Sequence, residues 1–287
     1  MKIGFIGLGN MGLPMAEALA QAGHDVTGFD VTPPASVSFD IAKSAVAAVQ
    51  DCDIVLTMLT TSSVVTKVIT DIIAHMPKGA LLIDCSTIDV ATARACHDLC
   101  ARHDIAHLDA PVSGGIAAAA AGTLTFMVGG KPASFETAKP ALAIMGAKLV
   151  HCGESGAGQA AKICNNMILG ITMIGTCEAF ALADRLGLDR DSLYEVVSGA
   201  SGQSWSLTSY CPAPNVGPQS PADNDYKPGF SADLMLKDLR LSQIAAETTG
   251  TETQMGALAT ELYRRFVEEG DGSGQDFSAM LKRLTSV

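Results

Sequence analysis

The sequence predicts an α/β protein in two domains. An N-terminal doubly wound parallel sheet is followed by an all-α C-terminal domain, and a long interdomain helix links them. Three observations carry this. Short apolar, β-rich runs alternate with helical patterns through residue 150; a glycine-rich turn joins the first run to the first helix; and after Gly158 only helical periodicity remains. At 287 residues the chain exceeds the prior of roughly 150 per domain. The expected division is 1–161 and 162–287.

The runs Lys2–Ile6, Asp25–Asp30, Asp53–Leu59, Ala80–Asp84 and Ala106–Asp109 are mostly apolar throughout, as strands buried on both faces are. Residues 123–128 and 147–150 should extend the same parallel sheet. From Ala160 to about Leu186 one helical pattern is apolar nearly all round, which suits a helix clamped between domains. Helices are further expected at 191–198, 231–249 and 252–268, with an apolar stripe of Leu234, Leu241, Ile244 and Ala245 along the second of these. Between them, residues 211–230 hold five of the 12 prolines, and a loop of that length favours a functional role.

Bulk composition removes several function classes. Apolar residues make up 48% and charged residues 17%, enough for a large core. The formal net charge is −11 with no basic half, which argues against nucleic acid or an anionic membrane surface. An anionic substrate would therefore need a local cation. Eight cysteines are too sparse for a disulfide scaffold. Cys96, Cys100, His103 and His107 have a tempting spacing, but Asp104 and the strand pattern after it put His107 on another element, so no metal site is expected. The N-terminus imitates a signal peptide and fails on its glycines, Asn10, Pro14 and Glu17. The apolar run 167–183 is short for a membrane span and contains Glu178. A cytoplasmic protein with no membrane partner is the expectation.

Gly7-Leu8-Gly9-Asn10-Met11-Gly12 fits G-x-G-x-x-G, directly after a strand and at the opening of a helix. Gly7 permits the tight turn, Gly9 admits a pyrophosphate close to the backbone, and Gly12 lets helix pack on strand. The helix N-terminus adds unpaired N–H groups and a positive dipole end. Asp30 stands eighteen residues after Gly12, at the end of the second strand, with no arginine following. A carboxylate there accepts from both adenine-ribose hydroxyls and repels a 2′-phosphate, so the motif reads as a Rossmann-type site for NAD rather than NADP.

Three later segments could carry chemistry. In Asp109-Ala110-Pro111-Val112-Ser113-Gly114-Gly115, paired glycines and a hydroxyl can hold a carboxylate by neutral donors; an ordinary strand-to-helix turn has the same look. In Gly158–Asn166, Lys162 and Asn166 are one helical turn apart on a largely apolar helix. A lysine there is costly to bury without a task or a partner, and a dry setting favours the neutral amine that a general base needs. The alternative is a lysine snorkelling from a helix start. Lys237 and Asp238 lie beside the stripe of a later helix, which alone suggests a solvated face.

These segments occur together, in this order, in the β-hydroxyacid dehydrogenases, and the chain resembles that family over essentially its whole length. The matching stretches are 3–30, DAPVSGG with GTLTFMVGG, GAGQAAKICNN and LMLKDLRL; the one departure noted is Ala117, where relatives often carry glycine. The Pro-rich segment is most similar to the branch acting on 3-hydroxyisobutyrate in valine breakdown. The resemblance implies Lys162 as catalytic acid–base. It implies substrate contacts from Ser113, Gly114, Gly115 and Asn166, with Asp238 beside them, and cofactor contacts from Leu59, Thr60, Val64, Thr87 and Lys237 in addition to the glycine loop and Asp30. A small-molecule β-hydroxy acid is the implied partner. The long apolar helix suggests a homodimer or homotetramer. Other readings are a reductase of a short semialdehyde such as tartronate semialdehyde, which a preference for NADP would favour, and a non-catalytic NAD-binding module, against which Lys162 and Asn166 speak.

Overall fold

The computed structural model describes residues 1–285 and divides into two compact units, Met1–Lys162 and Ile163–Val287. The first contains β1 (Lys2–Ile6), α1 (Gly12–Gln21), β2 (Asp25–Phe29), β3 (Asp40–Ile41), α2 (Ala45–Val49), β4 (Ile54–Thr57), α3 (Ser62–Ile72), β5 (Leu81–Asp84) and α4 (Val90–Arg102). It continues with β6 (Ala106–Asp109), β7 (Val112–Ser113), α5 (Gly115–Ala121), β8 (Leu124–Gly129), α6 (Pro132–Met145) and β9 (Gly146–Gly153). Helix α7 (Ala157–Leu186) runs from the first unit into the second, which adds α8 (Arg190–Ser198), α9 (Trp205–Thr208), α10 (Ala232–Thr249), α11 (Gln254–Arg264) and α12 (Met280–Thr285).

The strands form one sheet in the order β3-β2-β1-β4-β5-β6-β8-β7, with β9 also pairing β8. β1 to β6 pair in parallel, as their unbroken apolar runs require. β8 does not extend this direction: it is antiparallel to β6 and β7, so the sheet is mixed, and β9 then runs parallel to β8. The reason is the short excursion of β7 and α5, which returns the chain along the sheet without a full crossover.

Alternation along each strand divides the core. Ile54 and Leu56 face α1 and α6 with Phe5, Met15, Leu19 and Leu142, whereas Val55 faces α3 and α4 with Val65, Ile69 and Cys100. Each fully buried Ile, Leu, Val, Phe or Met among these contributes about 1.5–3 kcal/mol. Thr61 and Asp89 cap α3 and α4 through their side chains, so both helices start at defined points after β4 and β5.

The second unit packs its own core on α7, through Met173, Cys177 and Phe180, against Leu236, Leu239, Tyr263 and Phe277. α7 meets the length and hydropathy of a membrane span; Met173, Ile174, Cys177 and Phe180 along it belong to this core, and Ala183 is buried as well. On α10 the expected stripe is out of phase. Leu234 and Ile244 are exposed, and the buried face is Ala232, Met235, Leu236, Leu239 and Ser242, with Asp238 among them. Residues 211–230 are ordered: Ser220 forms a capping box over a short 3₁₀ turn, and the Tyr226 hydroxyl donates to the Pro212 carbonyl.

Candidate functional site

β1 lies between β2 and β4, where the chain's order in the sheet reverses, and a parallel sheet binds ligands outside the strand C-termini at such a point. Each expected cofactor residue of the first unit falls there. Gly7 adopts φ +96°, and a Cβ on it would stand 2.2 Å from the Met58 carbonyl oxygen; one on Gly12 would stand 1.9 Å from that of Gly7. Around Gly9 nothing lies within 4 Å of a Cβ. Gly7 and Gly12 are therefore demanded by the chain's own packing, while Gly9 opens onto space that a pyrophosphate can fill. That is the fit expected for a dinucleotide at the start of α1. Nearby, α1 and α5 flank an open groove of about 580 Å³ that begins at Leu8, Gly9 and Asn10 and reaches Ile116 and Ala120.

Asp30 holds this loop from beside. One carboxylate oxygen accepts the Leu8 N–H at 2.7 Å and the other the Thr32 N–H at 2.8 Å. Each oxygen retains acceptor capacity for a ribose hydroxyl. Leu59 and Thr60 follow β4, Val64 lies in the first turn of α3, and Thr87 follows β5, so all four share the strand-end side with the glycine loop.

Beneath these loops lies a buried polar system that the sequence reading missed. Thr57 and Ser86 hydroxyls donate to the same Asp84 oxygen at 2.7 and 2.6 Å, and Leu59 N–H donates to Ser86 Oγ at 2.8 Å. Burial pushes the Asp84 carboxyl up to about 6. Its neighbour across the sheet is Asp109, whose oxygens accept the Gly156 and Gln159 N–H groups at 2.7 and 2.9 Å and so cap the start of α7. Burial also raises the Asp109 carboxyl. The signal available was a carboxylate at the end of both β5 and β6, a costly place for one without a partner.

The DAPVSGG segment becomes the end of β6, then β7, then the start of α5. Gly114 and Gly115 have φ +134° and +70°, and a Cβ on Gly114 would stand 2.5 Å from that of Ala118. The turn thus exposes backbone at Ser113–Gly115 in a conformation closed to other residues. Lys162, on the second turn of α7, is 8% exposed.

In the second unit the structure brings Asn166, Lys237 and Asp238 together. Asn166 Nδ2 donates to Asp238 Oδ2 at 2.5 Å, and Asn165 Nδ2 donates to Asn166 Oδ1 at 2.9 Å. Lys237 Nζ lies 3.3 Å from Asp238 Oδ1 but off the alignment of a hydrogen bond, so the contact is ionic. Lys237 and Asp238 are not a solvated pair: Asp238 is buried and its lysine only partly exposed.

His107 is fully enclosed next to His97, 6.0 Å between ring centroids, and burial pushes its imidazole down to about 3. Cys96 and Cys100 are buried thiols raised to about 11 and 12 by the same cause. Among the described residues no cluster of three His, Cys, Asp or Glu side chains suits a metal ion.

Comparison with known proteins agrees with this geometry. Residues 2–153 match the family of the NAD binding domain of 6-phosphogluconate dehydrogenase, and residues 156–284 that of the NAD-binding region of NADP-dependent 3-hydroxyisobutyrate dehydrogenase. A probable 3-hydroxyisobutyrate dehydrogenase of Mycobacterium tuberculosis is 47% identical over 98% of this chain and 97% of its own. An NAD-dependent L-serine dehydrogenase of Pseudomonas aeruginosa is 45% identical with the same coverage. The solved structure of the Mycobacterium tuberculosis 3-hydroxyisobutyrate dehydrogenase with L-serine superposes with a TM-score of 0.94 at 46% identity, covering 99% of this chain and 98% of that one.

Proposed function

This chain belongs to the β-hydroxyacid dehydrogenases, as an NAD-dependent oxidoreductase of the 3-hydroxyisobutyrate dehydrogenase type, and from that premise we propose that it oxidises 3-hydroxyisobutyrate to methylmalonate semialdehyde, as valine breakdown requires, with Lys162 as general base. Bound NAD supplies the acceptor for the hydride that leaves carbon 3. The glycine loop and Asp30 hold its pyrophosphate and adenine ribose; Leu59, Thr60, Val64, Thr87 and Lys237 line the remainder. Ser113, Gly114 and Gly115 grip the substrate carboxylate through neutral donors together with Lys162, which overcomes the unfavourable net charge locally. Asn166 orients the hydroxyl, and Lys162 Nζ takes its proton; in reverse the ammonium returns a proton to the developing alkoxide.

One observation carries the assignment of Lys162. It is a buried lysine one helical turn before a buried asparagine, on a helix whose start is pinned by two hydrogen bonds to Asp109. Lysines are seldom buried to this extent, which supports a chemical task for this one. Replacement Lys162→Ala is expected to lower kcat by about 10²–10⁴ while NADH binding, read by its fluorescence, stays unchanged; undiminished turnover would refute the role. The substrate is tested by NAD reduction with 3-hydroxyisobutyrate, 3-hydroxypropionate, glycerate, L-serine and 4-hydroxybutyrate, the first giving the highest kcat/KM. L-serine is the second reading, favoured by the named activity of the Pseudomonas relative. A higher kcat/KM for serine overturns the first. A cytoplasmic homo-oligomer completes the proposal, supported by exposed Ile168, Leu182 and Leu186 along α7; a monomer in sedimentation would oppose it.

A further inference from the structure

The hydrogen bonds of Gln159 are not explained by any contact it could make with substrate. The side chain is fully buried, three residues before Lys162. Its Oε1 accepts the Ile88 N–H at 3.1 Å, and its Nε2 donates to the Ser86 carbonyl at 2.8 Å. The side-chain amide thus pairs with the backbone of 86–88 as a neighbouring strand would. The Gln159 N–H meanwhile donates to Asp109, and Gly158 sits so close to the sheet that a Cβ on it would stand 2.3 Å from the Met127 carbonyl oxygen. Ser86, at the other end of the tie, also receives the Leu59 N–H. A continuous path of direct contacts therefore joins the loops after β4 and β5 to the helical turn that carries Lys162, all within Met1–Lys162.

We propose that Gln159 is a positioning residue for Lys162, locking the first turn of α7 to the 86–88 segment so that the lysine and the Leu59 and Thr87 loops keep one geometry. The inference rests on the reading of Lys162 as the base. A side-chain amide meets both demands of this position with separate groups, a donor to the Ser86 carbonyl and an acceptor for the Ile88 N–H. Proton transfer depends steeply on placement, so a loosened turn shows in the chemical step before it shows in binding.

The test is a double-mutant cycle with Gln159→Met and Lys162→Ala, read as kcat and KM at saturating NAD, with thermal melting recorded for each variant. Gln159→Met is expected to lower kcat at least tenfold with the substrate KM changed less than threefold, and to lower the residual kcat of Lys162→Ala by less than twofold, since the two act as one unit. Unchanged kcat in Gln159→Met overturns the proposal, because a residue that only supports the fold moves the melting temperature and not turnover per folded molecule. An equal tenfold loss in both backgrounds also overturns it, leaving the reading of Lys162 intact. Undiminished turnover in Lys162→Ala defeats that reading and the proposal with it. Should Gln159→Met not fold, Gln159→Asn, which keeps both groups one methylene short, gives the same comparisons.

Discussion

Alanine at two glycines of the same loop should have opposite consequences, and the structure supplies the reason. At Gly12 a Cβ would stand 1.9 Å from the Gly7 carbonyl oxygen and 3.1 Å from Phe5 Cε1. An ordinary carbon–oxygen approach is about 3.3 Å, so Gly12→Ala must drive α1 from the β1 turn by more than an ångström, against backbone that cannot swing aside. Overpacking of this kind costs about 1–3 kcal/mol, or a fall in Tm of several degrees for a domain of this size. The same displacement misdirects the first-turn N–H groups, and NADH affinity should fall tenfold or more. At Gly9 a methyl group meets nothing within 4 Å, and the backbone needs no positive φ. Gly9→Ala should leave Tm within about 2 °C or raise it slightly, since alanine restricts the unfolded chain. It should still weaken NADH at least tenfold, because the methyl occupies the space assigned to the pyrophosphate. The assay is NADH fluorescence titration beside thermal melting of the apoprotein. Gly9→Ala binding NADH as wild type does, within twofold, would refute placement of the pyrophosphate over Gly9; a destabilised Gly9→Ala would refute the division of the loop into packing and ligand glycines.

Asp30→Asn removes the charge expected to exclude a 2′-phosphate, so the ratio of kcat/KM for NAD over NADP should fall at least tenfold; a ratio unchanged within threefold removes Asp30 from cofactor selection. Asp84 makes a pH prediction. Its folded carboxyl is raised to about 6 from 3.8 by burial, so the folded state holds the proton more tightly and this contribution is present below pH 4 and lost as pH rises through 6. A displacement of about two pH units is worth about 3 kcal/mol. The stability of Asp84→Asn relative to wild type should accordingly climb between pH 4 and 7 and then level; a difference flat with pH would contradict an ionising buried Asp84. Asp276 is fully buried and accepts from Tyr210, Gly229, Phe230 and both N–H and hydroxyl of Ser278, tying the 211–230 segment to the C-terminal chain. Asp276→Ala leaves those donors unsatisfied at about 1–3 kcal/mol each, and calorimetry should show a fall in Tm of about 10 °C or more.

Local pattern was enough for the features that repeat within a few residues. Unbroken apolar runs of four or five residues demanded buried parallel strands, the glycine spacing demanded a phosphate turn, and an i, i+4 pair placed Lys162 and Asn166 one turn apart. Phase and direction were harder to read. The phase of the stripe on α10 is not encoded locally, because Leu234 and Leu236 are equally apolar and only the packing of α10 against Phe277 and Tyr263 chose between faces. The reversal of β8 depends on where β7 and α5 turn the chain, which hydropathy does not encode. Least legible were the contacts that hold the site in place: Asp109 to Gly156, Gln159 to Ser86, Asn166 to Asp238, joining residues 47, 73 and 72 positions apart. Periodicity reports what a residue does within its own helix or strand. A buried carboxylate or amide is settled by whichever distant donor the fold delivers to it, so the residue types of this site could be read along the chain, but their partners came only with the folded chain.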